Sequence, residues 1–297
     1  MPIRLLGVPM DLGAARRGTD MGPSAIRAAR LEARLEELGH EVKDAGNVFA
    51  PEPETRKVKE TGLRFASEII QACETLARRV RAAREKDEFP LVLGGDHSIA
   101  MGTVGGIAAP GTRVGVLWID AHADFNRPET SPSGNVHGMP LAALVGRGDP
   151  RLTGIAGVTP KVQEDKIALV GARSIDDVER KELQDSDVTV FTMRDIDELG
   201  MRRVMEQAID IVTHGTDWVH GSVDMDVVDP AYAPGVGTPV PGGITFREAH
   251  LALEMVADSK AMRSLEIVEV NPILDQRNQT AELAVGLALS AFGKRIL

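Results

Sequence analysis

Short, near-continuous apolar runs constrain this chain most. Val114-Gly115-Val116-Leu117-Trp118-Ile119 contains no charged or strongly polar position. A strand with one wet face alternates polar and apolar residues, so a run like this predicts a strand covered on both faces. Comparable segments are Ile3–Val8, Pro90–Leu93, Lys166–Val170, Val188–Phe191, Trp218–Val223 and Ser264–Val270, with the first run extended to Arg113–Ile119. Between them lie helical patterns near Pro23–Leu38, Glu60–Glu85, Arg194–His214, Phe246–Ala257 and Thr280–Gly293. Pro23 suits a first helical turn, and Thr245 with Glu248 fits a capping box. The strand–helix alternation predicts an α/β fold: a mostly parallel central sheet between helical layers. The 297 residues would allow two small domains, but the unbroken alternation favours one over 1–297.

Loops are expected at Gly46–Pro53, Arg127–Asn135, Gly146–Pro160 and Asp229–Gly243, all rich in Gly, Pro, Ser or Asp. The last is too proline-rich for a floppy linker and reads as an ordered cover. Arg78, Arg79, Arg81 and Arg84 cluster on one helical stretch and read as a solvated face or a subunit contact. With 43% hydrophobic and 26% charged residues, the composition is that of a globular chain. The net charge of −10 argues against nucleic acid or an anionic membrane as partner. The N-terminal Met1-Pro2-Ile3-Arg4-Leu5 has no signal-peptide pattern, and no apolar run reaches membrane-spanning length. The single Cys73 excludes an internal disulfide and a thiolate metal cluster. A cytoplasmic location is expected.

Three segments directly follow expected strands: Gly94-Gly95-Asp96-His97, Asp120-Ala121-His122-Ala123-Asp124 and Asp224-Met225-Asp226. In parallel sheets, ligands bind beyond the carboxyl ends of the strands. Residues two apart in extended backbone share a direction. Asp120, His122 and Asp124 therefore form one set, and Asp224 and Asp226 another. Each segment alone has a bland explanation: a turn, or a cap in the case of Asp96. Together with His97 they bring four carboxylates and two imidazoles to one place, which is costly unless cations neutralise them. Two divalent ions would balance the four aspartates. Oxygen-rich sites with some imidazole suit hard or borderline ions, Mn²⁺ foremost. Such a pair, roughly 3.5–4 Å apart, makes hydroxide available at neutral pH.

These stretches, the first extended to Ser98 and the last to Ser222-Val223-Asp224-Met225-Asp226-Val227-Val228-Asp229-Pro230, with Ser133-Gly134-Asn135-Val136-His137-Gly138-Met139-Pro140, Glu269-Val270-Asn271-Pro272, Gly18-Thr19-Asp20-Met21-Gly22-Pro23 and Asn278-Gln279-Thr280-Ala281-Glu282, span nearly the whole chain. The sequence resembles the arginase/agmatinase, or ureohydrolase, family, and within it the bacterial arginases. The resemblance implies two Mn²⁺ per subunit. One would be held by His97, Asp120, Asp124 and Asp224, the other by His122, Asp120, Asp224 and Asp226. A hydroxide bridging them, oriented by Asp124, would attack the guanidinium carbon of L-arginine and yield L-ornithine and urea. His137 would be the proton shuttle to the leaving amine, Glu269 the guanidinium acceptor, and Thr238 a neighbour of the guanidinium.

Arginase and agmatinase differ at the far end of the substrate, where only arginine carries an α-carboxylate and an α-ammonium. By resemblance, Asn126, Ser133 and Asn135 would contact the carboxylate, Asp176 the ammonium, and Glu179 would support from behind. The run Arg173-Ser174-Ile175-Asp176 departs from the Arg-Asp-Val-Asp pattern of other arginases. Asp176 and Glu179 also read simply as a helix cap and a first-turn acid. The family implies a homo-oligomer, trimer or hexamer. Alternative readings are an agmatinase or another guanidino-substrate ureohydrolase, or a non-catalytic protein that binds metal or arginine. A two-metal phosphoesterase would call for cationic clamps, whereas these motifs supply acids, amides and hydroxyls. His40, His214, His220 and His250 carry no motif and are expected to be solvated or structural.

Overall fold

A computed structural model describes residues 2–56 and 63–295. Among these, eight strands form one sheet: β1 (Ile3–Gly7), β2 (Val42–Asn47), β3 (Phe89–Leu93), β4 (Val114–Ile119), β5 (Ile167–Ala172), β6 (Thr189–Thr192), β7 (Trp218–Asp224) and β8 (Met262–Val268). Their order is β2-β1-β3-β8-β7-β4-β5-β6, and every pairing is parallel. The apolar runs foretold the centre. β3, β4, β5 and β7 are buried at every position. Edge strand β2 was not anticipated. Its sequence, Val-Lys-Asp-Ala-Gly-Asn, is exposed beyond Val42 except at half-buried Ala45, and has no strand pattern.

Helices cover both faces, as α1 (Gly22–Ala28), α2 (Leu31–Glu37), α3 (Ala66–Glu85), α4 (Ala100–Ile107), α5 (Pro140–Leu144), α6 (Pro150–Thr153), α7 (Asp177–Gln184), α8 (Met193–Leu199), α9 (Met201–Thr213), α10 (Phe246–Ser259) and α11 (Gln279–Ala291). One buried cluster joins Ile26, Leu35, Val204, Leu253 and Val285 to the sheet. The other joins Leu76, Val104, Leu141 and Trp118 to its opposite face. The result is the expected three-layer, single-domain α/β fold.

Two expected helices are broken. Pro23–Leu38 divides into α1 and α2 at Arg30, whose φ of 66° is left-handed. Arg194–His214 divides into α8 and α9 at Gly200, with φ 80° and ψ 148°. The expected Glu60–Glu85 helix begins at Ala66, and its residues 60–62 lie outside the described residues. Strand β8 ends at Val268, two residues before the expected Val270. The arginines of α3 are not simply a solvated face. Arg79 donates to the Ala45 carbonyl, and Arg84 to Ile107 O (2.9 Å) and Thr112 Oγ1 (3.0 Å).

Neighbouring strands β3, β8, β7 and β4 occupy the sheet centre. The chain passes from β3 to β4 over the two places later filled by β7 and β8. The segments following these four strands therefore meet at one end of the sheet, as expected for a ligand site in a parallel α/β fold.

Candidate metal centre and substrate cavity

Each strand end delivers its side chains through a tight local turn. After β3 the backbone folds so closely over Met10 that a Cβ on Gly95 would lie 1.8 Å from the Met10 carbonyl oxygen. Asp96 caps the next turn, accepting from Ser98 N at 3.0 Å, and also accepts from Gly13 N at 2.8 Å. Its bland reading as a cap is therefore right, and the cap also anchors the N-terminal loop. His97 follows, 1% exposed. After β4 come Asp120, His122 and Asp124, and β7 ends at Asp224 with Asp226 in the turn beyond. Asp124 has φ 51° and Glu269 φ 64°. Left-handed backbone at non-glycine residues costs roughly 1–2 kcal/mol each and re-aims both side chains at the strand ends.

Two clusters result. His97 Nδ1 lies 3.1 Å from Asp120 Oδ2, 3.1 Å from Asp124 Oδ2 and 3.2 Å from Asp224 Oδ2. His122 Nδ1 lies 3.0 Å from Asp226 Oδ2 and 3.6 Å from Asp120 Oδ1. Asp120 thus gives one oxygen to each cluster. His97 Nδ1 is buried and makes no well-directed hydrogen bond, although three carboxylate oxygens surround it. A ring nitrogen converging with carboxylates, rather than donating along one direction, fits a cation. His97, Asp120 and Asp224 in the first cluster, and Asp120, His122 and Asp226 in the second, have the donor atoms and spacing to hold a metal ion.

The electrostatics lead to the same conclusion. Burial, reinforced by Asp226 and Asp120, pushes the Asp224 carboxyl well above its ordinary value. Burial and then Asp120 raise Asp124 to about 6. Burial favours neutral His97, but Asp120, Asp124 and Asp224 outweigh it and raise its pKa far above normal. Without metal, protons must hold this cluster together. A cation does so with more charge and fixed geometry.

A supporting layer orients these groups. Trp118 Nε1 donates to Asp120 Oδ2 (2.9 Å), and its ring stacks on His97 at 4.1 Å. His97 Nε2 is 2.7 Å from Ser222 Oγ. Arg173 donates to the carbonyls of Asp226 (2.7 Å) and Val227 (3.0 Å), bracing the turn after β7. Trp118, Ser222 and Arg173 were given no role from sequence. For Trp118 and Ser222 the available signal was an aromatic or polar side chain inside an otherwise apolar strand; Arg173 follows β5 in a loop.

The cavity above the clusters is lined by His122, Asp124 and Asp224, and by Asn126, Ser133, His137, Asp176, Glu179 and Thr238. Six of the eight expected substrate residues therefore share one space with three of the expected metal-site residues. Asn135 does not line it. That residue lies in an adjoining opening with Arg16, His122, His137 and Thr238, because its backbone N–H turns back to Ser133 Oγ at 3.2 Å. Glu269 lies beneath, 1% exposed. Its Oε1 accepts from His97 N (2.9 Å) and faces His137 Nδ1 (3.0 Å), while Oε2 is buried and unpartnered. Burial lowers the His137 pKa, but Glu269, then Asp124 and Asp96, raise it to about 9. The Thr238 hydroxyl donates to Asp226 Oδ2 at 2.9 Å.

Asp176 and Glu179 combine the two readings open to them. Asp176 is the N-cap of α7 and Glu179 its third residue. Asn126 Nδ2 donates to Asp176 Oδ2 (3.0 Å). Glu179 accepts from Phe125 N (2.8 Å) and Asp176 N (3.2 Å). The helix cap thus sets the far wall of the cavity. The departure at Ser174 leaves this start in place, and Ser174 itself lines the cavity.

Comparison with known proteins bears on the whole chain. The family model described as Arginase family matches residues 1–293. The curated arginase of Bacillus caldovelox is 50% identical, covering 100% of this chain and 99% of its own. That of Brevibacillus brevis is 52% identical, covering 99% and 98%. The solved structure of the Bacillus caldovelox arginase superposes with a TM-score of 0.96 over 100% of this chain and 99% of that one. A hypothetical agmatinase from Burkholderia thailandensis is more distant, at 25% identity and a TM-score of 0.75 over 98% of this chain and 84% of that one. Sequence, fold and strand-end chemistry agree over the full length, and the chain belongs to the arginase family.

Proposed function

We infer that this protein hydrolyses L-arginine to L-ornithine and urea. The observation that carries this reading is the pair of His–Asp clusters sharing Asp120 beneath a cavity whose far wall bears an amide and carboxylates. Full-length similarity to curated arginases supports it. Two Mn²⁺ ions are the proposed cofactor. His97, Asp120, Asp124 and Asp224 would hold one, and His122, Asp120, Asp224 and Asp226 the other. The donor set, oxygen-rich with one imidazole at each position, suits Mn²⁺. When bound, such a pair supplies hydroxide at neutral pH.

The remaining chemistry falls to the chain's own groups. The free Oε2 of Glu269 accepts a guanidinium N–H and matches the planar cation. Glu269 Oε1 holds His137 by Nδ1, which leaves Nε2 to deliver a proton to the departing amine. Thr238 steadies Asp226 at the edge of the guanidinium pocket. Asn126 and Ser133 meet the α-carboxylate, with Asn135 reaching it from the adjoining opening. Asp176, backed by Glu179, takes the α-ammonium. Agmatine has neither group and would leave that wall unpaired, which disfavours it.

No helix among the described residues is long and apolar enough to cross a membrane. That and the acidic composition support a small-molecule enzyme of the cytoplasm, acting on arginine rather than on nucleic acid or membrane. A homo-oligomer, trimer or hexamer, is proposed from family membership. Urea release from L-arginine by Mn²⁺-loaded protein tests the function. A protein that binds metal and arginine but forms no urea would be the non-catalytic alternative.

A further inference from the structure

Behind His97, on the side away from the cavity, a line of buried polar groups runs through the middle of the sheet. His97 Nε2 meets Ser222 Oγ at 2.7 Å, and the Ser222 hydroxyl donates to Glu266 Oε1 at 2.9 Å. His220 Nε2 lies 3.4 Å from the same oxygen. On its other side His220 Nδ1 is 2.9 Å from Ser264 Oγ, which accepts the indole N–H of Trp218 at 2.9 Å. His220 pairs with Ser264 and Ser222 with Glu266 across β7 and β8, so period-two alternation sets all of them on one face. His220, Ser222, Ser264 and Glu266 are each 0% exposed. Aliphatic residues would fill these positions at lower cost than a buried carboxylate.

Two members of the line have fixed polarity. An indole N–H only donates, and a carboxylate only accepts. With only an acceptor facing it, His220 Nε2 carries the ring proton, which leaves Nδ1 to accept the Ser264 proton while Ser264 turns a lone pair to Trp218. The Ser222 proton likewise points at Glu266. Its oxygen is then free to accept from His97 Nε2–H. An imidazole protonated on Nε2 presents a bare Nδ1, and Nδ1 is the atom surrounded by Asp120, Asp124 and Asp224. Without the acceptor at position 266, Ser222 can donate to His97 Nε2 instead and drive the proton onto Nδ1, where it blocks a cation.

We propose that Glu266 is a positioning residue for the metal centre, acting through Ser222 to hold His97 in the tautomer that offers Nδ1 to a cation. His220, Ser264 and Trp218 keep that carboxylate in place and in polarity. The inference rests on reading His97 as a metal ligand, and the test separates the two.

Metal-stripped wild type, Glu266→Met and Glu266→Gln are titrated with Mn²⁺ by calorimetry, and KM for L-arginine is measured at saturating Mn²⁺. Wild type takes up two equivalents. Glu266→Met, which has no acceptor, binds one equivalent about 10–100-fold more weakly, with the other equivalent and KM unchanged, and Glu266→Gln, which keeps a carbonyl acceptor for the Ser222 hydroxyl, recovers most of the loss. Glu266→Met binding both equivalents as tightly as wild type, even at a lower Tm, overturns the proposal. Wild type that fails to bind two equivalents overturns the metal-pair reading beneath it. Should Glu266→Met not fold by circular dichroism, Ser222→Ala cuts the same link and is judged by the same titration.

Discussion

At the scale of single residues, Glu269 carries the most distinct assignment. Its left-handed backbone sets the carboxylate under the cavity, with one oxygen engaged by His97 N and His137 and the other free. Glu269→Gln keeps the shape but removes the charge that a guanidinium needs. Turnover is expected to fall about 10²–10³-fold, the loss typical of one transition-state partner, with metal content unchanged by elemental analysis. Loss of metal would mean that Glu269 belongs to the clusters instead. Glu179 gives a pH signature. Burial raises its carboxyl pKa from 4.5 to about 7, with Asp124 adding to the shift and Phe125 N opposing it. A carboxyl raised on folding binds its proton more tightly in the fold. Its contribution is therefore full below about 4.5 and is lost as pH rises through about 7. In the metal-free protein, Glu179→Gln should flatten that decline in urea midpoints between pH 5 and 7.5. An unchanged slope would place the titration elsewhere. The ligand-type residues were legible in the sequence because Asp120, His122 and Asp124 repeat at period two after an apolar run. Glu266 and Ser222 were not, because polar residues at period two in a strand, His220 with Ser222 and Ser264 with Glu266, read as one wet face rather than as support for a site.

At the scale of elements, periodicity located the long helices but not their interruptions. Arg30 and Gly200 break two helical patterns by backbone conformation alone, and hydrophobic spacing continues through both. At Gly200 the combination of φ 80° and ψ 148° is one that glycine alone adopts cheaply. A Cβ there would meet nothing within 4 Å, so a substitution is opposed by backbone strain and not by a clash. Gly200→Ala should therefore cost about 1–3 kcal/mol, read as a lower urea midpoint with kcat and KM unchanged. An equal midpoint would show that the α8–α9 junction relaxes freely. Strand β2 lacks a sequence signature for a related reason. An edge strand with one buried residue is held by its neighbour β1 and needs little pattern of its own. Helix α7 is an element whose function follows from its start, since its cap residues Asp176 and Glu179 also wall the cavity.

At the scale of the molecule, the sheet order explains the chemistry. Four central strands end together, and their turns gather Asp120, Asp124, Asp224, Asp226 and Glu269, with Asp96 close by. This acidity, a part of the chain's net −10, is stored strain in the metal-free fold. Mn²⁺ at 100 times its Kd should stabilise the fold by about 2.7 kcal/mol per site. For a chain of this size that amounts to a Tm rise of about 4 °C per occupied site, measurable by scanning calorimetry and reversed by chelation. A Tm indifferent to Mn²⁺ would mean that the clusters do not bind it. The strand alternation made this architecture legible from sequence, and the family resemblance, now matched along the chain, made the substrate legible. The discrimination between arginine and agmatine was less so, because it depends on side chains from separate loops that only folding brings together. The most direct test measures urea release from L-arginine and from agmatine side by side, with metal-stripped and Mn²⁺-loaded protein. Arginine is expected to turn over only after Mn²⁺ is restored, and agmatine to turn over more slowly. Faster hydrolysis of agmatine, or activity that survives exhaustive chelation, would contradict that expectation.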